Sequence, residues 1–461
     1  MKRLIIRIDQ FDPPGYRFAA RRFEEPLHPY FHQTECRRSD VTGVLPEQSV
    51  PPSTDFTLVL HCTLPNRFLR VPGAVNVGLV CCPTRRLPDF GKRRSPWMSS
   101  LELMDTLWVP NTHTLEALEA AGVSMPVKVI PCPPASVESN ALAAQECEVL
   151  DFDRGLPPER FWNRGARFRG ARFGPTRVLM RLIAPIVEKI VRASWRRPRA
   201  GLPARRPYVL CLAPDEPQHS LRWLLSEWAE FLKDRPNAPW DLMIRTFPGR
   251  GDQRAIPALA ALRHHVRALQ HQFGLDMARV LVSPGDPNDA DALALLDNAE
   301  ALVLASVGDD FNLALTDALA RGKPVIVPRL PAHDDVLLPR YPLRFATRLA
   351  TLRLLGDPGR NCDAASDWWV PEPCALSHAL REAAELRPHG LAGWGRRAAD
   401  HWRERAGPGE IDRILAEEIS RLETEGRTAR SAVGSRLARN GTSTVERRVL
   451  VANHWLSCRA G

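Results

Sequence analysis

The sequence predicts an α/β protein of two domains, each built on a parallel sheet, with a ligand cleft between them. Three observations predict it. At 461 residues the chain is too long for one ordinary core. Short apolar strands alternate with helical stretches in two separate runs, the pattern of parallel sheets, and open α/β sheets bind ligands at the carboxyl ends of their strands. Between the runs lies a segment of different composition. From Arg154 to Arg206 there are 15 Lys/Arg and only two acids, Glu159 and Glu188, so this segment carries +13, the whole chain +10 and the remainder −3.

The first run opens on "RLIIRI", a buried strand, followed by the Pro/Gly loop "DQFDPPGY" and the helical "RFAARRFEEPL". Strands follow at "FTLVLHC" and "AVNVGLVCC", then the polar "PTRRLPDFGKRRSPW", a helix-like "MSSLELMD" and the strand "TLWVP". "NTHTLEALEAAG" reads as a helix with Asn111 or Thr112 as N-cap and Gly122 as its stop, before a last strand in "VKVIPCP". The second run starts with "PYVLCLAP" at Pro207. It continues through helix "SLRWLLSEWAEFLKD", strand "WDLMIRTF", helix "AIPALAALRHHVRALQHQF", strand "RVLVSPG", helix "DADALALLDNA" and strand "ALVLAS". The expected division is 1–135 and 207–385 for the two α/β domains, 136–206 for the basic insert, 386–425 for closing helices and 426–461 for a largely disordered basic tail.

Composition narrows the partners. Because the positive charge belongs to one segment, a nucleic-acid function for the whole protein loses its support. In "TRVLMRLIAPIVEKIVRASW" apolar residues at 178, 179, 182, 183, 186, 187, 190 and 191 form a helical stripe, kinked at Pro185, with seven basic residues between Arg177 and Arg199. Residues 175–199 could lie on an anionic membrane surface, pack on the first domain or, third, contact nucleic acid; these readings stay open. No apolar run approaches the roughly 18 residues of a membrane span, and "MKRLIIRIDQ" reads as a strand rather than a signal peptide. A cytoplasmic protein is the expectation, peripheral to the inner face of the cytoplasmic membrane only under the membrane reading of residues 175–199. Ten cysteines without a CxxC pair or zinc spacing suit a reducing compartment and call for no metal.

The stretch "SVGDDFNLALTDALARGKPVIVP", Ser306 to Pro328, carries the chemistry. A buried strand precedes it, Asp309 stands in the turn, and "FNLALTDALARG" begins a helix whose free N–H groups favour an anion. Asp317 lies about two turns into that helix, where Asp has poor helix propensity and no capping role. A carboxylate there suits the vicinal hydroxyls of a ribose or hexose. Helix capping accounts equally well for an acid at Asp309 or Asp310.

The segment resembles the retaining GT-B glycosyltransferases of family 4, also called glycosyltransferase group 1. Their pattern is a small residue, E-G-F-G-L, then E-A-hydrophobic-A-x-G-x-P-V-I. This chain has Ser306, Asp309-Asp310-Phe311-Asn312-Leu313, Asp317-Ala318-Leu319-Ala320, Gly322 and Pro324-Val325-Ile326 at the same spacings. "DPPGYRFAARRF" is similar to the family's first glycine loop, with Gly15 at the turn, and "WWVPEPCALSHALREA" resembles its C-terminal closure. The likeness covers about four-fifths of the chain, leaving out the insert and the tail.

It implies two Rossmann-like domains, the first on the acceptor side and the second binding a nucleoside-diphosphate sugar. It also implies transfer to a hydroxyl acceptor without metal or further cofactor; the membrane reading of residues 175–199 is what points to a glycan or lipid-linked acceptor. The family's two glutamates fall on Asp309, which would contact the transferred sugar, and Asp317, which would hold the ribose; Phe311, Asn312, Leu313 and Gly15 complete the donor site.

The chain departs from the pattern in three ways. Both glutamates are aspartates, the glycines flanking Phe311 are Asp310 and Asn312, and the usual Arg and Lys after the second domain's first strand are missing. That stretch reads "LCLAPDEPQHSL", with His219 its one cation. Arg245 in "LMIRTF" is the candidate replacement for the diphosphate charge, or a structural ion-pair partner. His61 in "LVLHC" is a candidate acceptor-side group, or a hydrogen-bonded core histidine. A non-catalytic GT-B module is the competing function.

Overall fold

The computed structural model describes residues 2–9, 14–39, 56–87, 95, 97–135, 206–213, 220–246, 255–274, 279–285, 290–309, 311, 313–352, 366–387 and 389–439. The stripe at 175–199, His219, Asp310 and Asn312 lie outside them.

The first sheet is built from β1 (Lys2–Asp9), β2 (Gln33–Ser39), β3 (Phe56–Cys62), β4 (Val75–Leu79), β5 (Thr106–Val109) and β6 (Val127–Val129) in the order β2-β1-β3-β4-β5-β6. Every pairing is parallel. β3 is buried along its whole length, as a central strand covered on both faces must be. β2, "QTECRRS", has no apolar run and was not foreseen; as an edge strand it needs only β1 beside it. Its Glu35 accepts hydrogen bonds from Arg3 at 2.6 Å and Arg37 at 2.8 Å.

Helix α1 (Pro14–Leu27) follows β1 and starts earlier than the Pro/Gly loop suggested, so Gly15 sits in its first turn. After the short α2 (Met98–Leu101), α3 (Thr112–Ala120) is capped as expected. The Asn111 side chain accepts from the Thr114 N–H at 2.9 Å, and Gly122 stops the helix at φ +77°.

The second sheet contains β7 (Tyr208–Leu212), β8 (Asp241–Thr246), β9 (Val280–Pro284), β10 (Ala301–Val303), β11 (Val325–Pro328) and β12 (Arg344–Phe345). Its order is β12-β11-β10-β7-β8-β9, again all parallel. Helices α4 (Leu221–Asp234), α5 (Ala255–Phe273), α6 (Ala290–Asn298) and α7 (Leu313–Ala320) connect the strands. An antiparallel hairpin, β13 (Thr347–Leu352) with β14 (Ser366–Pro371), follows β12. Strand order reverses between β1 and β3 in the first sheet and between β10 and β7 in the second, the positions where doubly wound sheets open a crevice for ligands.

α8 (Ala375–Glu385) and α9 (His389–Ala406) pack on the second domain, with Leu376, Leu380, Ala398 and Trp402 in its core. α10 (Pro408–Arg439) instead returns to the first domain. Ile411, Leu415, Ile419 and Leu422 form one helical stripe in that domain's core, and Glu418 accepts from Trp108 Nε1 at 3.3 Å. The tail expected to be disordered from 426 therefore continues as helix to Arg439, where its periodicity was too weak to read; residues 440–461 lie outside the described set. Among the described residues no helix is long and apolar enough to cross a membrane.

Candidate functional site

The two domains meet through the segments that follow their strands. From the first come Gly15, Tyr16 and Arg22 after β1, Pro83 to Arg85 after β4, Thr112 and His113 after β5, and Ala135 after β6. From the second come Gly308 and Phe311 after β10, α7, and residues 333–335 after β11. The carboxyl ends of both sheets thus face one seam.

Contacts across it are direct. The Thr112 N–H and hydroxyl both donate to Asp335 at 2.5 Å, the His113 ring meets Trp369 edge-on at 4.8 Å, and the Arg85 N–H donates to the Asp367 carbonyl at 3.2 Å. A Cβ on Gly308 would lie 2.6 Å from the Pro83 carbonyl oxygen and 3.0 Å from the Trp368 ring. Gly308→Ala is therefore expected to lower stability by about 1–3 kcal/mol, whereas Gly15→Ala, whose Cβ would touch Phe311 at an ordinary 3.4 Å, is sterically tolerated; urea midpoints compare the two.

Asp317 does point at the seam, and there it meets the first domain. Arg22 Nη1 donates to Oδ1 at 2.9 Å and Nη2 to Oδ2 at 2.6 Å, while the Ala135 N–H donates to Oδ1 at 2.8 Å. Asp317 is 1% and Arg22 8% exposed. Arg22 Nη1 also reaches the carbonyls of Pro133 at 3.3 Å and Leu313 at 3.4 Å. The carboxylate expected to receive ribose hydroxyls is thus held by a guanidinium fork, the bidentate geometry arginine offers a carboxylate. Nearby Cys132 has its thiol pushed up to about 12, first by burial, with Asp317 adding to the rise and Arg22 opposing it. Arg22 was not among the sequence candidates. The available signal was a charge one helical turn from Phe18 on the buried face of α1, while its neighbour Arg21 faces solvent.

Phe311, also expected in the donor site, is buried against the first domain. Its ring meets Tyr16 edge-on at 5.1 Å and lies beside Gly15. Leu313 is partly buried beside it, and α7 begins at Leu313 rather than Phe311. Asp309 remains partly accessible, its side chain 16% exposed. His333 Nε2 lies 3.2 Å from its Oδ2, and His333 Nδ1 lies 3.1 Å from the Pro328 carbonyl.

Two candidates sit in the sheets themselves. Arg245, at the end of β8, is 3% exposed; Nη1 donates to Ser283 Oγ at 2.8 Å and Nη2 pairs with Asp291 at 3.3 Å. β7 separates it from β10. The ion-pair reading of Arg245 therefore describes this conformation. His61 is fully buried within β3: its Nε2–H faces Asn76 Oδ1 at 3.3 Å and its Nδ1 faces Arg7 Nη1 at 3.5 Å. Burial first, and then the Arg7 charge, depress its pKa to about 3. The structure makes it a core histidine rather than an acceptor-side group. Among the described residues no group of three or more His, Cys, Asp or Glu could hold a metal ion.

No family model and no curated protein matches the sequence. Solved structures do. A trehalose 6-phosphate synthase from Burkholderia multivorans aligns over 96% of this chain and 100% of its own, with a TM-score of 0.55 and 10% identity. The sucrose-phosphate synthase of Thermosynechococcus elongatus aligns over 92% and 100%, with a TM-score of 0.51 and 13% identity. Both are GT-B glycosyltransferases. The fold is GT-B. An Escherichia coli trehalose-6-phosphate structure, bound with UDP-2-fluoro glucose, aligns over 91% of this chain and 99% of its own at a TM-score of 0.54 and 10% identity. At such identities the likeness concerns the fold, and within that GT-B fold Asp309 and α7 lie beside the second domain's switch point.

Proposed function

We propose that this chain is a group 1 glycosyltransferase. It moves a sugar from a nucleoside-diphosphate donor to the hydroxyl of a glycan or lipid-linked acceptor, with retention and without a metal, in cell-envelope glycan synthesis. One observation carries the reading: a buried carboxylate at the seam, Asp317, is held in a two-pronged hydrogen-bonding geometry by a side chain from the opposite domain. A ribose diol presents the same pair of donors to a carboxylate.

In this reading Arg22 is a stand-in for the donor. When the domains part and the nucleotide sugar enters, its ribose replaces Arg22 on Asp317 and its transferred sugar lies against Asp309. Arg22, released, takes up the negative charge of the leaving diphosphate together with the N-terminus of α7, and with Arg245 as the positive charge further out. This supplies from the first domain the cation missing from "LCLAPDEPQHSL" in the second.

The same ion pair favours a second reading, a non-catalytic GT-B module that binds nucleotide sugar or a partner enzyme, because it closes the site with the chain's own groups. A thermal-shift panel of nucleoside diphosphates and their sugars separates the two. Ligand at 100 times its dissociation constant is expected to stabilise the protein by about 2.7 kcal/mol. The enzyme releases nucleoside diphosphate with an acceptor present, whereas the module binds without release. Asp317→Ala is expected to abolish the shift under both, so an undiminished shift in that variant removes the donor-site assignment.

A further inference from the structure

On the second domain a depression of about 570 Å³ is lined by Arg329, Arg340 and Arg344, with Asp334, Tyr341 and Trp369 in its wall. We propose that it binds a phosphomonoester carried by the acceptor, an inference that rests on the glycosyltransferase reading.

The charge balance points to an anion. Arg344 pairs with Asp334 and donates to the Leu330 carbonyl, and its buried Nε has no hydrogen-bond partner among the described residues. Arg329 donates through Nε to the Arg344 carbonyl at 3.3 Å, and neither it nor Arg340 has a carboxylate partner among the described residues. Three guanidinium groups against one carboxylate leave about two positive charges, and a phosphomonoester carries about −1.5 to −2 at pH 7 with three acceptor oxygens. Arginine suits this better than lysine, because its planar fork bonds two oxygens of one phosphate.

The wall is also firm. Tyr341 accepts the Val325 N–H at 3.0 Å, and Trp369 is braced by His113 across the seam and by its own N–H on the Val307 carbonyl at 3.1 Å. The volume falls within the roughly 300–1,000 Å³ of small-molecule sites.

Its position ties it to the reaction. The 3₁₀ turn Pro331–His333 has His333 against Asp309, while Leu330, Pro331 and Asp334 of the same stretch line the depression. A phosphate held by the arginines thus anchors an acceptor close to the carboxylate assigned to the transferred sugar.

Titration calorimetry of the full chain with inorganic phosphate, glucose 6-phosphate and glucose tests this. Phosphate and glucose 6-phosphate are expected to bind and glucose not, with glucose 6-phosphate the tighter where the sugar reaches the Trp369 wall. The exposed pair Arg329→Ala/Arg340→Ala is expected to weaken both at least tenfold without changing the melting temperature. Arg344→Lys, which keeps the charge and loses the fork, is expected to weaken them less. No binding to the wild type, or equal binding to the double variant, overturns the site. The cleft reading fails separately, as a nucleotide-sugar response that Asp317→Ala leaves intact while the arginines still bind phosphate.

Discussion

Arg22→Ala is expected to destabilise the protein by about 3–5 kcal/mol, the range for stripping one partner from a buried ion pair. The variant leaves Asp317, 1% exposed, with the Ala135 N–H as its one remaining donor among the contacts described above, and it removes a donor from the carbonyls of Pro133 and Leu313. The loss is one of uncompensated buried charge more than of attraction, so removing the charge as well should restore much of it. Arg22→Met combined with Asp317→Leu is expected to recover more than half of the loss, because apolar groups of similar volume replace such pairs at little net cost. Urea unfolding followed by tryptophan fluorescence reads both variants. A loss below about 1 kcal/mol for Arg22→Ala would mean that the carboxylate finds water or another donor once Arg22 is gone, and the seam is then not closed in solution as described.

Acidification below neutrality is expected to weaken the fold through His61. Its folded-state pKa, about 3, lies below its ordinary value of 6.5, so between these two pH values the unfolded chain binds a proton that the native protein refuses. Stability therefore rises with pH across this window, and it is lost on acidification at up to about 1.4 kcal/mol per unit below pH 6.5. The hydrogen bonds give the reason: Arg7 approaches Nδ1, the nitrogen that would have to take the proton, and Nε2–H is already directed at Asn76. His113, depressed mainly by burial, adds a contribution of the same sign. His61→Gln retains a donor for Asn76 and does not titrate. Unfolding free energies of this variant between pH 7 and 5 should show a slope shallower by up to one proton. Identical slopes for the variant and the wild type would show that His61 titrates alike in the folded and unfolded states.

The central strands of the two sheets were legible because they are buried and mostly apolar; "RLIIRI" and "FTLVLHC" leave little choice of structure. β2 was not, since an edge strand owes its conformation to a neighbour's hydrogen bonds rather than to its own apolar side chains. The Asn111 cap and Gly122 stop were readable because capping is a local matter, settled within one helical turn. The position of Asp317 at the seam was legible; its partner was not. Asp317 stood out as an acid without a local role, yet a carboxylate asks for the same two donors whether they come from a ribose or from an arginine 295 positions earlier in the chain. Sequence around one member of such a pair carries no record of the other. Arg245 and His61 differ for a related reason: the end of a strand faces either the crevice or the next strand's side chains, and only the packed sheet decides which.

The return of α10 to the first domain bears on how the lobes are joined. α9 travels with the second domain and α10 with the first, and the chain passes between them at Ala406–Pro408. Gly407 is wedged there, with room for no Cβ against the backbone of Arg403, and Pro408 fixes the first turn of the helix beyond. Besides the stretch 136–206, this is where the backbone passes between the lobes. The helix that closes one lobe and the helix that anchors in the other are thus joined by a single tightly packed link, so the chain's end belongs to both lobes at once.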